Sequence, residues 1–166
     1  MSQIFNNKFV LKGFTLIEMI VVIAVLGILA TIVLISINPI AQLQKSNDAR
    51  RKTDLESIQR ALELYYQDNG TYPISTGDKI KGINWGSAWQ PYIATLPSDP
   101  LPANRYVYYS PNNQTYYLYA NLQRGKYDQQ ICNNGNACVS VGANGLPLTA
   151  CGGTCNYGIS SSNVSP

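Results

Sequence analysis

The distribution of apolar residues divides the chain into an apolar N-terminal segment and a mixed remainder. From Phe14 to Ile37 the sequence reads FTLIEMIVVIAVLGILATIVLISI, a run of 24 residues in which Glu18 is the only charged member. A helix of that length spans about 36 Å, enough to cross the ~30 Å hydrocarbon core of a bilayer. Because a helix in a soluble core rarely stays apolar on every face for so long, the pattern predicts a transmembrane helix.

A second helix is predicted beyond the apolar run. Asn38-Pro39 ends that run, and we expect a kink or a local break there because proline disfavours helical geometry at the preceding residue. The stretch from Ala41 to Asp68 is rich in helix formers, and Asn69-Gly70 is a natural helix stop. One apolar stripe at helical spacing should pack on a globular head: Leu55, Ile58, Leu62 and Tyr65. The stripe fades upstream, so residues 41–54 are expected to project as a polar stalk.

The remaining pattern predicts a small head. Thr71–Pro102 is rich in glycine and proline, which indicates a connecting loop with one short helix near Ser87–Ala94. Two β-rich runs follow, Arg105–Ser110 and Thr115–Leu122, and the PNNQ sequence between them is typical of a hairpin. The expected fold class is therefore α+β: a long N-terminal helix, half membrane-spanning and half amphipathic, packed on a small antiparallel sheet and followed by a cysteine-containing, loop-rich tail.

Charge and composition narrow the function. The formal net charge of +3 is too small to indicate nucleic acid as the main partner. Arg50-Arg51-Lys52 is the one basic cluster, but nearby acids favour a solvated or inter-subunit face over a DNA-binding patch. Twelve tyrosines, all from Tyr65 onward, predict a part-exposed β surface.

An enzyme is disfavoured by what the sequence lacks. There is no histidine, which removes the commonest general base and metal ligand. No G-x-S-x-G, P-loop or paired-carboxylate motif is present, and a cysteine nucleophile normally needs a histidine partner. We therefore expect neither catalysis nor a cofactor, and a membrane-anchored enzyme is the least favoured of the function classes.

Four cysteines lie in a C-terminal tail rich in Gly, Asn and Ser: Cys132, Cys138, Cys151 and Cys155. Outside the cytoplasm they predict two disulfides, with three possible pairings left open. Free thiols and a zinc site are the alternatives, although C-x5-C and C-x3-C spacings fit zinc imperfectly. The expected role is structural, because cross-links compensate for a small core.

The residues before the apolar run predict the orientation of the chain. Lys8 and Lys12 precede it without a counter-charge, so the positive-inside rule places the N-terminus in the cytoplasm and the remainder outside. A cleaved secretory signal is the alternative, with Ala30 or Ser36 as small residues for a weak site. The apolar run is too long for the core of such a signal.

The junction Gly13-Phe14-Thr15-Leu16-Ile17-Glu18, preceded by Lys12, closely resembles the prepilin processing motif of type IV pilins and type II secretion pseudopilins. The resemblance implies that a prepilin peptidase cuts between Gly13 and Phe14 and methylates the new N-terminus at Phe14. It also implies that Glu18 meets the N-terminal amine of a neighbouring subunit during assembly.

The physical chemistry agrees with that role. A cut before the apolar run leaves the helix attached and creates an amine at the depth where Glu18 needs a cation. A paired charge in a low-dielectric environment costs far less than a lone one. Pairing between subunits would therefore fix their axial register.

The resemblance extends through Asn69-Gly70-Thr71-Tyr72-Pro73, where the family commonly leaves its long helix, and fades afterwards. It implies a cytoplasmic leader (1–13), an assembly helix (14–37), a helical continuation (38–70), a head (71–122) and a disulfide-bearing tail (123–166). Major pseudopilins usually place calcium ligands in a C-terminal loop. Here Asp128 is the only acid after Asp99, so no metal site is expected.

Two functions follow from the resemblance. The first is a structural subunit of a type IV pilus-like filament, favoured by the cysteine-bearing tail and the missing calcium ligands. The alternative is a major pseudopilin of a type II protein secretion system. Either function implies a single-pass plasma membrane protein that assembles into an extracellular pilus or an envelope pseudopilus. Its expected partners are copies of itself and related pilins, the prepilin peptidase, an inner-membrane assembly platform and membrane lipid.

Overall fold

The computed structural model describes residues 13–166, apart from the side chains of residues 34–37. Most of the predicted leader, including Lys8 and Lys12, lies outside the described residues. The chain divides into two compact units, residues 1–40 and residues 41–166, which are treated separately below.

Within the described residues, the first unit contains helix α1, Leu16–Ile37. The helix ends at Asn38, whose φ of 45° and ψ of 74° place it in the left-handed region. The next helix, α2, begins directly afterwards at Pro39, where a missing N–H costs nothing because the first helical N–H groups have no intrahelical partner. The predicted break at Asn38-Pro39 is thus confirmed. Among residues 13–166, α1 is the one helix long and apolar enough to cross a membrane.

Most of α2, Pro39–Asn69, belongs to the second unit. The predicted stripe is confirmed, since Leu55, Ile58 and Leu62 are fully buried and Tyr65 packs against the same core. The helix ends at Asn69, in agreement with the stop predicted at Asn69-Gly70. Asn69 Nδ2 donates to the Tyr65 carbonyl at 2.9 Å, and Gly70 adopts a φ of +69°, which favours glycine.

Two antiparallel sheets complete the second unit. The strands are β1 (Ser75–Thr76) and β2 (Lys79–Ile80) in one sheet, and β3 (Val107–Tyr109), β4 (Tyr117–Ala120) and β5 (Tyr157–Ser160) in the other, in the order β3-β4-β5. The predicted hairpin is confirmed as β3-β4 with shorter strands. Its turn is closed by Asn112 Oδ1, which accepts from the backbone N–H groups of Gln114 and Thr115 at 3.0 Å each.

Strand β5 was not predicted from the sequence. It comes from the C-terminal tail and pairs with β4 from Tyr117↔Ser160 to Ala120↔Tyr157. The tail also contains 3-10 turns at Gly125–Tyr127 and Cys132–Gly135 and helix α3, Val139–Ala143. The α+β fold class is confirmed, with the main core formed by residues of α2, the sheet and the connecting segments.

The short helix expected near Ser87–Ala94 is absent. The segment is a turn closed by an isolated bridge between Trp89 and Ile93. Pro91 cannot donate the hydrogen bond that a helix interior needs, and the Trp89 ring packs instead against Tyr65 at a centroid distance of 5.5 Å. Tertiary packing of an aromatic ring therefore decides this segment.

Candidate assembly site and the polar contacts of the head

Helix α1 exposes its apolar side chains in the single chain. Every large apolar residue from Phe14 to Val33 is at least 48% exposed. Removing apolar surface from water is worth about 25 cal/mol per Å². A stretch this large is therefore stable only when lipid or other helices cover it.

Glu18 is held at the N-terminal end of α1 by Thr15. Glu18 Oε2 accepts from the Thr15 backbone N–H and from its hydroxyl, both at 2.9 Å, and the Thr15 Oγ1 accepts from the Glu18 backbone N–H at 3.3 Å. This capping box satisfies N–H groups that the first helical turn leaves open. Thr15 is thus a site residue that the sequence analysis missed, although the T-x-x-E pattern signals it.

The predicted processing junction lies immediately before α1. Gly13 and Phe14 precede the N-cap residue, both are exposed, and a Cβ placed on Gly13 would meet nothing within 4 Å. A shallow groove of about 360 Å³ follows, lined by Phe14, Ile17, Glu18, Val21 and Val22. Phe14 and the carboxylate of Glu18 therefore border the same apolar groove.

A buried ion-pair cluster lies between α2 and the chain before the sheet. The Arg51 side chain is fully buried and binds Asp99 bidentately, with Nε and Nη2 at 2.7 and 2.8 Å from the two carboxylate oxygens. Arg51 Nη1 donates to Asp48 at 2.8 Å. Burial lowers the pKa of Arg51, but the bonds and charges of Asp99 and Asp48 outweigh it and raise that pKa. The expected solvated or inter-subunit face is therefore wrong at Arg51.

Asp48 extends this cluster to the tail. Its carboxylate also accepts from the backbone N–H groups of Gln123 and Arg124 at 2.9 and 2.8 Å. The polar stalk expected over residues 41–54 is wrong from Asp48 onward, because that part of α2 packs on the head through charges and not through apolar groups. Hydropathy cannot reveal such packing. The i, i+3 spacing of Asp48 and Arg51 places both side chains on one helix face, however, and could have predicted their ion pair.

Lys52 is the next contact from α2 to the tail. Its Nζ lies 2.5 Å from Asp128 Oδ2 and 3.0 Å from Gln130 Oε1, and it stands 5.4 Å from the centre of the Tyr157 ring. The other Asp128 oxygen accepts from the Gln130 N–H at 2.9 Å. Burial raises the pKa of Asp128, but the bonds from Lys52 and Gln130 outweigh it, so the pKa is lowered.

Tyrosine hydroxyls of the head donate to carboxylates of α2. Tyr72 and Tyr116 reach Glu63 at 3.1 and 3.0 Å, and Tyr106 reaches Asp54 at 2.7 Å. Burial, followed by the Glu63 carboxylate, raises the pKa of Tyr72 to about 12. The expected part-exposed tyrosine surface is wrong for a fully buried set: Tyr106, Tyr108, Tyr116 and Tyr119. Their hydroxyls find partners inside the fold.

All four cysteines form disulfides in the structure. Cys132 pairs with Cys138 and Cys151 with Cys155, so neighbours along the chain are joined. Cys151 and Cys155 are fully buried in a second apolar cluster that also contains Val107 of β3. The tail is therefore part of the packed head.

The donor set does not fit the calcium loop that the family resemblance implies. Within residues 13–166 no group of three or more His, Cys, Asp or Glu residues could hold a metal ion. Calcium needs six to eight oxygen ligands, usually with several carboxylates. The only carboxylate of the tail, Asp128, already binds Lys52.

An exposed apolar N-terminal helix followed by a helix that packs on a small antiparallel sheet defines a pilin-like filament subunit. Comparisons with known proteins agree. Residues 12–34 match the prokaryotic N-terminal methylation motif, and residues 38–140 match the family model of type II secretion system protein G. No solved structure matches the chain.

Named relatives point the same way. The chain is 31% identical over 147 residues to the type II secretion system core protein G of Pectobacterium carotovorum subsp. carotovorum, covering 83% of this chain and 80% of that protein. It is 33% identical over 113 residues to the core protein G of Vibrio cholerae, covering 61% and 73%. It is 30% identical over 115 residues to that of Escherichia coli (strain K12), covering 64% and 77%. The chain belongs to the type II secretion system protein G family.

The family assignment bears on the two expected functions. It favours the alternative, a major pseudopilin, over the pilus subunit that the sequence analysis had placed first. The sequence analysis had weighed the cysteine-bearing tail and the missing calcium ligands in favour of the pilus subunit, and the family match outweighs them. Members of this family are structural proteins, which agrees with the expectation of no enzymatic activity.

Proposed function

We propose that this chain is the major subunit of a type II secretion pseudopilus, stored in the inner membrane and assembled through α1. The observation that carries the proposal is the exposure of every large apolar side chain from Phe14 to Val33. Lipid covers this surface in the stored subunit, and the α1 helices of other copies and of related pilins cover it in the filament. The head, residues 41–166, buries its own core and needs no such cover.

Processing releases the subunit for assembly. A prepilin peptidase cuts between Gly13 and Phe14 on the cytoplasmic side and methylates the amine of Phe14. The exposure of both residues and their position outside any helix support this assignment, because a protease needs accessible, non-helical backbone. The rest of the chain lies outside the cytoplasm, where the four cysteines can form disulfides.

Glu18 is the assembly residue. In the single chain it is bound by Thr15, which lowers the cost of holding a carboxylate beside apolar groups. In the filament it meets the Phe14 amine of a neighbouring subunit, and because one charge pair forms per contact the subunits stack in a fixed register. The assembly platform of the inner membrane provides the place where this exchange occurs.

The decisive experiment is intact mass and N-terminal sequencing of the chain from membranes and from sheared surface material. The expected product begins at N-methylated Phe14, is lighter by two hydrogens for each disulfide, and stays with the cell envelope. Deletion of its gene should block secretion of folded proteins.

Two outcomes would contradict the proposal. A chain that keeps Met1 in cells with an active prepilin peptidase would rule out processing at Gly13. The processed chain in long surface fibres, with secretion intact, would instead establish a pilus subunit.

A further inference from the structure

Lys52 of α2 places a positive charge beside Asp128 of the C-terminal tail. The ammonium group has three neighbours: the Asp128 carboxylate at 2.5 Å, the Gln130 side-chain oxygen at 3.0 Å and the face of the Tyr157 ring at 5.4 Å. We call these four residues the Lys52 cluster. The Lys52 and Asp128 side chains are only 21% and 23% exposed, so solvent screens their attraction poorly.

The cluster contacts the middle of a loop that other bonds hold at its two ends. Residues 123–131 connect β4 to the first disulfide, and Asp48 binds their first two N–H groups. At the far end the Cys132 N–H donates to the Asn156 carbonyl at 2.8 Å, and Cys132 is cross-linked to Cys138. The Lys52 cluster ties the middle of this loop to α2.

The surroundings disfavour a divalent cation in the same place. A cavity of about 360 Å³ beside the cluster is lined by three cationic side chains, Lys45, Lys52 and Arg124, against two carboxylates, Asp48 and Asp128. A calcium ion entering it would meet net positive charge and one carboxylate already engaged at both oxygens. Lys52, by contrast, is covalently attached to α2. Folding therefore brings its ammonium group to the Asp128 carboxylate at a high effective concentration.

We infer that the Lys52 ammonium is a built-in cation of the tail loop, so that the head of this protein G family member keeps its stability without calcium. The charge that a bound metal would supply to such a loop is carried here by a residue of the long helix. Stability of the loop then depends on Lys52 and Asp128, and not on the concentration of free divalent cations.

Thermal unfolding of the full-length chain in detergent, followed by near-ultraviolet circular dichroism, tests this inference. The melting temperature of the unmodified chain should be the same in EGTA and in millimolar calcium. Lys52→Met, which keeps the apolar stem and removes the charge, should lower it by about 3 °C or more. Lys45→Met is the matched control, because Lys45 lies in the same helix and lines the same cavity.

A double-mutant cycle separates the pair from a general charge effect. Asp128→Asn should also lower the melting temperature, and the Lys52→Met/Asp128→Asn chain should lose clearly less than the sum of the two single losses. Three results would overturn the inference: a lower melting temperature of the unmodified chain in EGTA, equal effects of Lys52→Met and Lys45→Met, or additive losses in the cycle. None of these results bears on whether the chain forms a pseudopilus, which rests on α1.

Discussion

Helix α1 and the head reverse the usual placement of side chains. In α1 the large apolar residues up to Val33 are exposed, from 78% for Leu16 to 48% for Ile20. In the head, Arg51 is completely buried between two carboxylates. Soluble domains normally bury the first kind of residue and expose the second.

The two units therefore gain their stability from different sources. The head buries an apolar core of its own and pairs Arg51 and Lys52 with carboxylates of the same chain. The apolar side chains of α1 up to Val33 are exposed in the part of the chain that the structure describes, so we expect lipid or other subunits to cover them. Substitutions in α1 should therefore change assembly without changing the stability of the head, and substitutions in the head should do the reverse.

The largest effect is expected for Glu18→Ala. Loss of the carboxylate removes the proposed inter-subunit charge pair, and each 1.4 kcal/mol lost per contact is about a tenfold loss in association. Assembled filament, measured by cross-linking of envelope fractions, should fall by at least about tenfold while the melting temperature of the head stays unchanged.

Thr31→Ala is the matched control for Glu18→Ala. Thr31 is the polar residue in the middle of α1, and its hydroxyl donates to the Gly27 carbonyl of the same helix at 2.8 Å. Its removal should leave assembly intact. Normal filaments from Glu18→Ala would contradict the charge-pairing account.

Within the head, Arg51→Met should be the most destabilising of the substitutions considered. It leaves Asp48 and Asp99 near one another without their shared cation, and breaking a buried pair costs about 3–5 kcal/mol. Arg50→Met is the control, because that side chain is 60% exposed and lies 3.7 Å from Asp54, an arrangement worth about 0–1 kcal/mol. Chemical denaturation of the two variants should separate them clearly, and equal midpoints would show that the Arg51 cluster does not stabilise the head.

A smaller loss of stability is expected when the buried disulfide between Cys151 and Cys155 is removed. The Cys151→Ala/Cys155→Ala chain loses a cross-link across a short loop, for which chain entropy gives about 2 kcal/mol. The unfolding midpoint in denaturant should fall accordingly, and cleavage after Gly13 should continue as before. If a reducing agent leaves the midpoint of the unmodified chain unchanged, the tail does not depend on its disulfides.

The smallest effect at neutral pH is expected for Tyr72→Phe, which removes one hydroxyl bond to Glu63 at a cost of about 1 kcal/mol. The pKa of Tyr72 is raised from 10.0 to about 12 in the folded chain. Its contribution is therefore fully present below pH 10 and is lost as the pH rises through about 12.

The difference in unfolding free energy between the unmodified chain and Tyr72→Phe should accordingly shrink between pH 8 and pH 11. Tyr127→Phe provides the control, because Tyr127 is 81% exposed. A difference that stays constant with pH would show that the Tyr72 hydroxyl is not protected by burial and by Glu63.

Local patterns in the sequence predicted the elements that depend on neighbours along the chain. The apolar span, the break at Asn38, the stripe through Leu62 and the β3-β4 hairpin all follow from periodicity and turn chemistry within a few residues. The family motif around Gly13 likewise lies in one short stretch. None of these features depends on contacts between residues that are distant in the sequence.

The local patterns did not predict elements whose partners are distant in the sequence. Strand β5 is a short run of ordinary residues whose partner, β4, lies about forty residues upstream, and its register is set by pairing alone. A short helix was expected around Trp89, but the structure has a turn there whose Trp89 ring packs on Tyr65 of α2. Propensity is a weak prior when tertiary contacts compete with it.

Local sequence patterns were therefore enough to predict an apolar N-terminal helix, a processing motif before it and an α+β head. The burial of charges depends on long-range contacts, because Arg51 and Asp99 are 48 residues apart and Lys52 and Asp128 are 76 apart. The tertiary structure also selected one of the three cysteine pairings. The physical reason is that a charge or a thiol carries no local sign of its partner, and the fold must bring the two together before either becomes stabilising.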